Sequence, residues 1–203
     1  KTAIEDHFDH SFELEETLAA KGKDEALHLV KDMLHNPGSV FYVRQQQPAG
    51  LGHAVWCARH LVGSEPVAVL LADDLILGAS CVKEMVDAYK AGNMVAVMDV
   101  PHEQTGSYGI VTPGADDGRI VQVEGLVEKP DPSSAPSNIA VVGRYIITPE
   151  VFETLAAQER GAGGEIQLTD ALAKQIGKAP FSGVRFSGAV SYTHLRAHET
   201  HEH

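Results

Sequence analysis

The sequence is poor in cysteine and has no long hydrophobic run. Its two cysteines, Cys57 and Cys81, stand apart from each other and from any histidine at metal-site spacing, which argues against a structural zinc site. No segment approaches the roughly 18 apolar residues of a membrane-spanning helix. Residues 1–9 contain no hydrophobic stretch of the signal-peptide kind. These absences predict a cytoplasmic protein.

Positive charge is also scarce. The chain has 16 lysine and arginine residues against 28 aspartate and glutamate residues, which gives a formal net charge of −12. An acidic protein repels nucleic acid and anionic membranes, so we expect neither as a partner. If the protein handles phosphate groups, it must do so with a few placed cations or with a metal ion.

The remaining composition is typical of a globular protein. Apolar residues make up 43% of the sequence and charged residues 22%, close to the usual balance of a folded domain. A length of 203 residues is enough for one domain with a substantial core, and length alone does not require a second.

The first part of the chain predicts two surface helices and a strand. Residues 4–20 and 24–35 carry apolar side chains at roughly helical spacing among many acidic ones. Residues 39–44 contain the β-branched and aromatic run Val-Phe-Tyr-Val, which predicts a short strand.

The middle part alternates between strand-like and helix-like segments. Residues 66–71 form a continuous apolar run of the kind found in buried parallel strands, and a helical segment at 81–91 separates them from a second run at 94–100. This alternation predicts an α/β fold with a doubly wound, mostly parallel, Rossmann-like sheet. The second half is richer in strands, which are predicted at 108–112, 120–123 and 140–147.

The last residues differ in composition from the rest. Residues 191–203 contain four histidines, few apolar positions and no clear periodicity. A histidine-rich tract can bind metal, but a disordered or non-native tail is the simpler interpretation. We therefore expect an incomplete domain at 1–188, which begins without an initiator methionine, and a tail at 189–203.

Three short segments carry residues suited to binding or catalysis, each at the expected carboxyl end of a strand, where open α/β sheets bind ligands. The first is Gln45 with the glycine turn at 50–52. Glycine lets the backbone approach a ligand closely, and a glutamine amide can pair with the edge of a base. Taken alone, a plain turn before a helix is the more common explanation.

The other two segments pair charged side chains. Asp73 and Asp74 follow the apolar run at 66–71, where carboxylates can hold a Mg²⁺ ion that also bridges phosphate oxygens. An acidic loop leading into a helix is an equally common explanation. In the pair Glu128 and Lys129, the carboxylate can accept hydrogen bonds from sugar hydroxyls and the ammonium can hold a phosphate. For an isolated pair, a surface charge pair is the usual explanation.

The combination of segments is more specific than any one of them. Seven blocks occur in the order and context of one family: Arg44-Gln45, Gly50-Leu51-Gly52-His53-Ala54, Leu71-Ala72-Asp73-Asp74, Ser107-Tyr108-Gly109-Ile110, Val127-Glu128-Lys129-Pro130, Pro136-Ser137-Asn138-Ile139-Ala140-Val141-Val142-Gly143-Arg144-Tyr145 and Gly164-Glu165-Ile166-Gln167-Leu168-Thr169-Asp170. In these blocks the chain resembles the bacterial UTP-glucose-1-phosphate uridylyltransferases, a branch of the sugar nucleotidylyltransferase family. The resemblance covers about residues 1–186.

The resemblance implies a sheet of the nucleotide-diphospho-sugar transferase type and roles for residues on the nucleotide side. Gln45 and the backbone of Gly50 resemble the groups that contact uracil in the family. Asp73 matches the family's magnesium-binding aspartate, so it is expected to be both the metal ligand and a catalytic residue.

On the sugar side, the resemblance implies a β-rich binding region. Gly109 resembles the backbone group that faces glucose, and Glu128 resembles the acceptor for the glucose hydroxyls. Lys129 resembles the catalytic lysine that contacts the sugar phosphate. Val141 and Tyr145 correspond to residues that line the sugar pocket.

The resemblance also implies a reaction with Mg²⁺ as the cofactor. A phosphate oxygen of glucose 1-phosphate attacks the α-phosphorus of UTP in line, pyrophosphate leaves and UDP-glucose forms, without a covalent enzyme intermediate. The protein then contributes positioning and charge neutralisation. UTP and glucose 1-phosphate are the expected substrates, and the complete protein is expected to be a homo-oligomer.

Two features of the family have no counterpart in this sequence. One is a glycine-rich loop that wraps the triphosphate and would precede Lys1; the other is a second metal-binding aspartate, where Ser187-Gly188 is followed by Ala189. Both belong to the triphosphate and metal side, so we do not expect the chain in this form to be active. Two alternatives stay open, namely a related enzyme that uses dTTP or another sugar phosphate, and a non-catalytic nucleotide-sugar binding module.

Overall fold

A computed structural model describes residues 2–192 of the chain. The predicted tail at 189–203 therefore lies mostly outside the described residues. The chain divides into two compact units, with the division between Arg44 and Gln45. The sequence predicted a single domain at residues 1–188, and these domain bounds stay a prediction for the intact protein.

The first unit consists of three helices: α1 (Thr2–His7), α2 (Phe12–Ala20) and α3 (Asp24–Asp32). Helices α2 and α3 contact each other but bury no side chain fully. The predicted strand at 39–44 is wrong, because these residues adopt no regular structure. A strand needs a neighbour for its backbone hydrogen bonds, and none of the described strands pairs with this segment. Its side chains Phe41 and Tyr42 are exposed.

The second unit contains the remaining elements. The helices are α4 (Leu51–Cys57), α5 (Cys81–Ala88), α6 (Pro149–Ala156) and α7 (Leu168–Ala173). The strands are β1 (Val67–Leu70), β2 (Asp74–Leu77), β3 (Asn93–Asp99), β4 (Gly109–Asp116), β5 (Ile120–Glu128), β6 (Ile139–Ile147), β7 (Phe181–Arg185) and β8 (Ala189–Tyr192). Local sequence explains several boundaries: the Ser80 hydroxyl accepts a hydrogen bond from the Lys83 amide at the start of α5, and Pro149 opens α6.

Six strands form one mixed sheet in the order β1-β6-β3-β7-β5-β4. The prediction of a mostly parallel sheet is wrong for these strands, since β3 with β7 is the only parallel pair among those described. Strands β1, β3 and β7 do run in the same direction, as the alternation of strands and helices predicted. Strand β6 lies antiparallel between β1 and β3, so these two strands do not pair with each other.

Strand β1 is less buried than its apolar sequence predicted. It lies at the edge of the described sheet, with Leu70 53% exposed. Its side chains alternate between half-buried and exposed positions, as expected for a strand covered on one face.

Helices cover both faces of the sheet, which agrees with the layered part of the α/β prediction. On one face, Val97, Tyr145 and Ile147 pack with Leu155 of α6 and Leu172 of α7. The second face buries a smaller cluster around α5, formed by Cys81, Met85, Met94, Ala96, Val142, Ile146 and Val184. The sheet is therefore the middle layer of the unit, with a hydrophobic core on each face.

Strand β8 pairs antiparallel with β2, so residues 189–192, at the start of the predicted tail, form one strand of a two-stranded ribbon. Among the described helices, none has both the length and the apolar character required to cross a lipid bilayer.

The two cysteines should differ in reactivity. Burial raises the pKa of the Cys81 thiol to about 11, whereas Cys57 is only half-buried. Because the thiolate is the reactive form, a thiol reagent at pH 8 should modify Cys57 first and Cys81 only on unfolding. Mass spectrometry of a labelling time course measures this, and equal rates at both positions in the folded protein would contradict the burial of Cys81.

Candidate active site

A cavity of about 350 Å³ collects most of the residues singled out in the sequence. It lies where β1 and β5 end and where β4 and α7 begin, with β6 along one wall. Its lining residues are Leu51, Leu71, Asp73, Asp74, Ser107, Tyr108, Gly109, Glu128, Lys129, Val141, Gly143, Tyr145, Gln167, Leu168 and Thr169. Six of the eight predicted site residues are among them: Asp73, Gly109, Glu128, Lys129, Val141 and Tyr145.

Gly109 and Glu128 form the floor of this cavity as cross-strand neighbours in β4 and β5. A Cβ atom at position 109 would lie 3.0 Å from Thr169 Cγ2 and 3.2 Å from Glu128 Oε2. Glycine therefore leaves room beside the carboxylate that a larger residue would take, and a ligand can approach the backbone there.

The Glu128 carboxylate is held in one orientation. Its side chain is only 13% exposed, and Oε2 accepts a hydrogen bond of 2.7 Å from the Thr169 hydroxyl. The other oxygen, Oε1, lies 4.0 Å from the Lys129 ammonium. A fixed carboxylate with acceptor capacity remaining is suited to binding hydroxyl groups.

Lys129 has an unusual backbone conformation. Its φ angle is +46°, in the left-handed region that residues other than glycine rarely occupy. Its amide donates to the Tyr108 carbonyl at 2.9 Å, which stabilises the turn after β5. Such strain costs about 1–3 kcal/mol and is concentrated at functional sites. The Lys129 side chain that this turn presents is 56% exposed, so its ammonium can meet an anionic ligand.

The turn that carries Asp73 is tied to β6 by backbone and side-chain hydrogen bonds. The Gly143 amide donates to Asp74 Oδ2 at 3.0 Å, and the Leu71 amide donates to the Gly143 carbonyl at 2.8 Å. At this point β6 contains a bulge, since its register with β3 passes from Tyr145 directly to Val142.

The Arg144 side chain completes the attachment of the turn. Its guanidinium donates to the carbonyls of Leu71 at 2.8 Å, Gly143 at 2.9 Å and Asp74 at 2.5 Å. Two of these carbonyls lie on either side of Asp73 along the chain. Hydrogen bonds from a charged donor are about twice as strong as neutral ones, so Arg144 fixes the backbone that presents Asp73.

Negative charge dominates the cavity. Burial raises the pKa of the Tyr145 phenol above its ordinary value of 10.0, and the neighbouring carboxylates raise it further. The phenol therefore stays protonated as a hydrogen-bond donor. The carboxylates are those of Glu128, Asp74 and Asp73, whereas Lys129 is the one basic side chain among the described lining residues.

The donor set fits a magnesium ion that carries phosphate and water ligands. Within residues 2–192, no cluster of three or more histidine, cysteine, aspartate or glutamate side chains is arranged to hold a metal by itself. Mg²⁺ in nucleotide sites is usually bound through one or two carboxylates together with phosphate oxygens and water. Asp73 and Asp74 provide such carboxylates at the cavity wall.

Gln45 and Gly50 do not line this cavity, although the adjacent Leu51 does. The Gln45 amide instead donates to the Gly50 carbonyl at 3.0 Å. Gly50 has a φ of +103°, and a Cβ atom there would lie 2.7 Å from the Ile166 carbonyl. The loop is further fixed by hydrogen bonds of 2.8 Å from Ile166 N to Ala49 O and from Gly52 N to Ile166 O.

The structure adds residues that the sequence did not single out, namely Thr169 and Arg144. Both occur in blocks of the family resemblance, but their partners lie 41 and 73 positions away along the chain. Three other residues of these blocks, Asn138, Glu165 and Asp170, make contacts outside the cavity. Asn138 donates to the Val100 carbonyl, Glu165 accepts from Gln167, and the Asp170 carboxylate packs against Gly161.

The chain is similar in sequence and structure to known nucleotide-sugar enzymes. Residues 9–186 match the Nucleotidyl transferase family. The chain is 50% identical to the UTP–glucose-1-phosphate uridylyltransferase of Komagataeibacter xylinus, over 93% of this chain and 67% of that protein. It is also 50% identical to the enzyme of the same name from Bacillus subtilis (strain 168), over 86% of this chain and 60% of that protein.

A solved structure has a similar fold. It is that of a UDP-glucose pyrophosphorylase complexed with UDP-glucose, with a TM-score of 0.83, 36% identity, and coverage of 94% of this chain and 70% of that one. The chain thus spans about two thirds of the length of the relatives that it matches. The family resemblance found in the seven sequence blocks is confirmed.

Replacing Arg144 should loosen the turn around Asp73. Arg144→Met removes the donor for three carbonyls, and we expect a loss of about 1–3 kcal/mol in the free energy of unfolding, with faster amide exchange at 71–74. Chemical denaturation and hydrogen exchange measure the two effects. Arg119→Met is the matched control, because Arg119 is 59% exposed and its ion pair with Glu84 is 3.9 Å long; equal effects at both positions would contradict the role of Arg144.

Proposed function

The chain belongs to the nucleotidyl transferase family, and from this membership we propose that its protein transfers a uridylyl group from UTP to glucose 1-phosphate. A phosphate oxygen of the sugar phosphate forms a bond to the α-phosphorus of UTP, and the bond from that phosphorus to the β-phosphate oxygen breaks. The products are UDP-glucose and pyrophosphate. The names of the relatives support this choice of substrates.

The cavity is the observation that carries the proposal. The orientated carboxylate of Glu128, next to the open floor at Gly109, is suited to accept hydrogen bonds from the hydroxyls of a sugar. Lys129 is adjacent in sequence, so its ammonium can contact the phosphate of the same ligand. Val141 and the protonated phenol of Tyr145 complete the sugar side.

The charge of the cavity supports a role for a metal ion in the proposed reaction. Two anionic substrates must meet beside three carboxylates, with one lysine among the described lining residues to offset them. A divalent cation, when bound, supplies the missing positive charge at the phosphate oxygens. We propose Mg²⁺ in this role, with Asp73 as its protein ligand and Arg144 holding the backbone around Asp73 in place.

The nucleotide side of the proposal rests on the loop beside Leu51. Gln45 and the backbone of Gly50 are proposed to contact the uracil edge, next to the cavity that receives the sugar phosphate. Residues 1–188 are proposed to be part of one transferase domain, in a protein that acts in the cytoplasm as a homo-oligomer without nucleic acid or membrane partners.

Pyrophosphate release tests the proposal directly. UTP, glucose 1-phosphate and Mg²⁺ should give pyrophosphate with the chain extended at both ends by the matching segments of the Komagataeibacter relative. We expect much lower release from residues 1–203 alone, since these span 67% of that relative. Release by neither protein, when both are folded and bind UDP-glucose, would favour a non-catalytic binding module, and faster turnover with dTTP than with UTP would change the assigned nucleotide.

Asp73 should be required for the metal-dependent step. In the extended protein, Asp73→Asn removes the negative charge that holds the cation, and we expect turnover to fall by at least about 100-fold at saturating substrates. Titration of Mn²⁺ by its effect on water proton relaxation measures metal binding separately. Asp87→Asn is the control, because Asp87 lies on α5 in an exposed ion pair with Lys83. Unchanged turnover in Asp73→Asn would remove this residue from the mechanism.

A further inference from the structure

The side-chain amide of Gln45 is held by two acceptors at once. Its Nε2 atom lies 3.0 Å from the Gly50 carbonyl oxygen and 3.0 Å from His53 Nδ1. An amide nitrogen has two hydrogens, so this pair of contacts uses both of them. Within residues 2–192, no hydrogen bond engages the carboxamide oxygen of Gln45.

The orientation of this amide follows from its neighbours. A backbone carbonyl can only accept, so the Gln45 atom next to the Gly50 oxygen must be the nitrogen. The contact to His53 then requires that Nδ1 carry a lone pair and that the ring proton lie on Nε2. Rotating the amide by half a turn would place its oxygen against the Gly50 carbonyl.

The His53 ring is itself held in position. It belongs to α4 and stacks on the Trp56 ring, with centroids 6.0 Å apart and planes inclined by 26°. The Arg59 guanidinium lies 3.5 Å from the centre of the Trp56 ring, a cation–π contact. The start of the helix is fixed by the hydrogen bond from Gly52 N to Ile166 O. The acceptor that His53 offers to Gln45 is thus part of a rigid arrangement.

We propose that His53 is a positioning residue that sets base choice by holding Gln45 with its carboxamide oxygen towards the nucleotide. An oxygen in that position accepts from the N3–H of uracil, whereas cytosine presents a lone pair at N3 and is repelled. Thymine carries the same N3–H, so the arrangement separates uracil from cytosine but not from thymine. The inference rests on the proposed function, because it takes Gln45 as the contact to the base.

Two substitutions of similar shape separate the acceptor from the packing. In His53→Asn, the side-chain oxygen can occupy the place of Nδ1 and accept from Gln45. In His53→Leu that acceptor is lost, and only the Gly50 carbonyl still opposes a half-turn of the amide that would let Gln45 donate to cytosine N3. The loss of one such hydrogen bond corresponds to roughly a tenfold change in an equilibrium constant.

The test is calorimetric titration of the full 203-residue chain with UDP-glucose, CDP-glucose and dTDP-glucose. We expect the preference for UDP-glucose over CDP-glucose to fall about tenfold in His53→Leu and to be retained in His53→Asn. The preference relative to dTDP-glucose should not change in either variant. His60→Leu is the control, because His60 is exposed just beyond the same helix. An unchanged UDP to CDP ratio in His53→Leu would overturn the inference while leaving the proposed function intact.

A ligand-free measurement distinguishes failure of the two proposals. ¹⁵N spectra of the His53 ring and of the Gln45 side-chain amide report whether Nδ1 accepts a hydrogen bond from Gln45 in the wild-type chain. Absence of that bond would overturn the inference whatever the chain binds. If the bond is present but neither UDP-glucose nor CDP-glucose binds, the role of Gln45 in base contact fails, and the inference fails with it.

Discussion

A bulge in β6 links the sheet to the cavity, and the geometry of the site depends on it. Gly143 and Arg144 are left without a partner in β3, while their polar groups bond to the turn that carries Asp73. Bulges re-aim side chains and are frequent beside active sites. Because Tyr145 follows in the same strand, β6 positions both the acidic turn and the part of the cavity wall that Tyr145 forms. The antiparallel insertion of β6 between β1 and β3 makes this arrangement possible.

For the second unit, the sequence predicted where the strands lie better than which strands pair with each other. Strands β3 and β6 are almost fully buried, and their long apolar runs made them visible. The mixed direction of the sheet was missed because an apolar run indicates a strand but not which strand lies beside it. The segment at 39–44 shows the converse, since residues with strong β-propensity form no strand where none of the described strands pairs with them.

The residues of the candidate site were predictable where reactive side chains stand together in short sequence blocks. Asp73, Glu128 and Lys129 stand at strand ends in recognisable blocks, and the fold brings them to one cavity. Thr169 and Arg144 were missed because their function depends on partners far away in sequence. Hydrogen bonds of this kind have no local signature. The sequence therefore does not reveal the residues that hold a site in place, such as Thr169 and Arg144. Candidates for ligand contact can be recognised from residue type and position.

The contact between the loop at 49–52 and Ile166 has a consequence for folding. Its two backbone hydrogen bonds join segments more than a hundred residues apart, and contacts of such separation form late because the intervening chain must be closed into a loop. At a synthesis rate of about 5–20 residues per second, the ribosome needs on the order of ten seconds to deliver Ile166 after Ala49 has emerged. During that interval the loop at 49–52 lacks its hydrogen-bond partner, so in nascent chains it is accessible to proteases and chaperones.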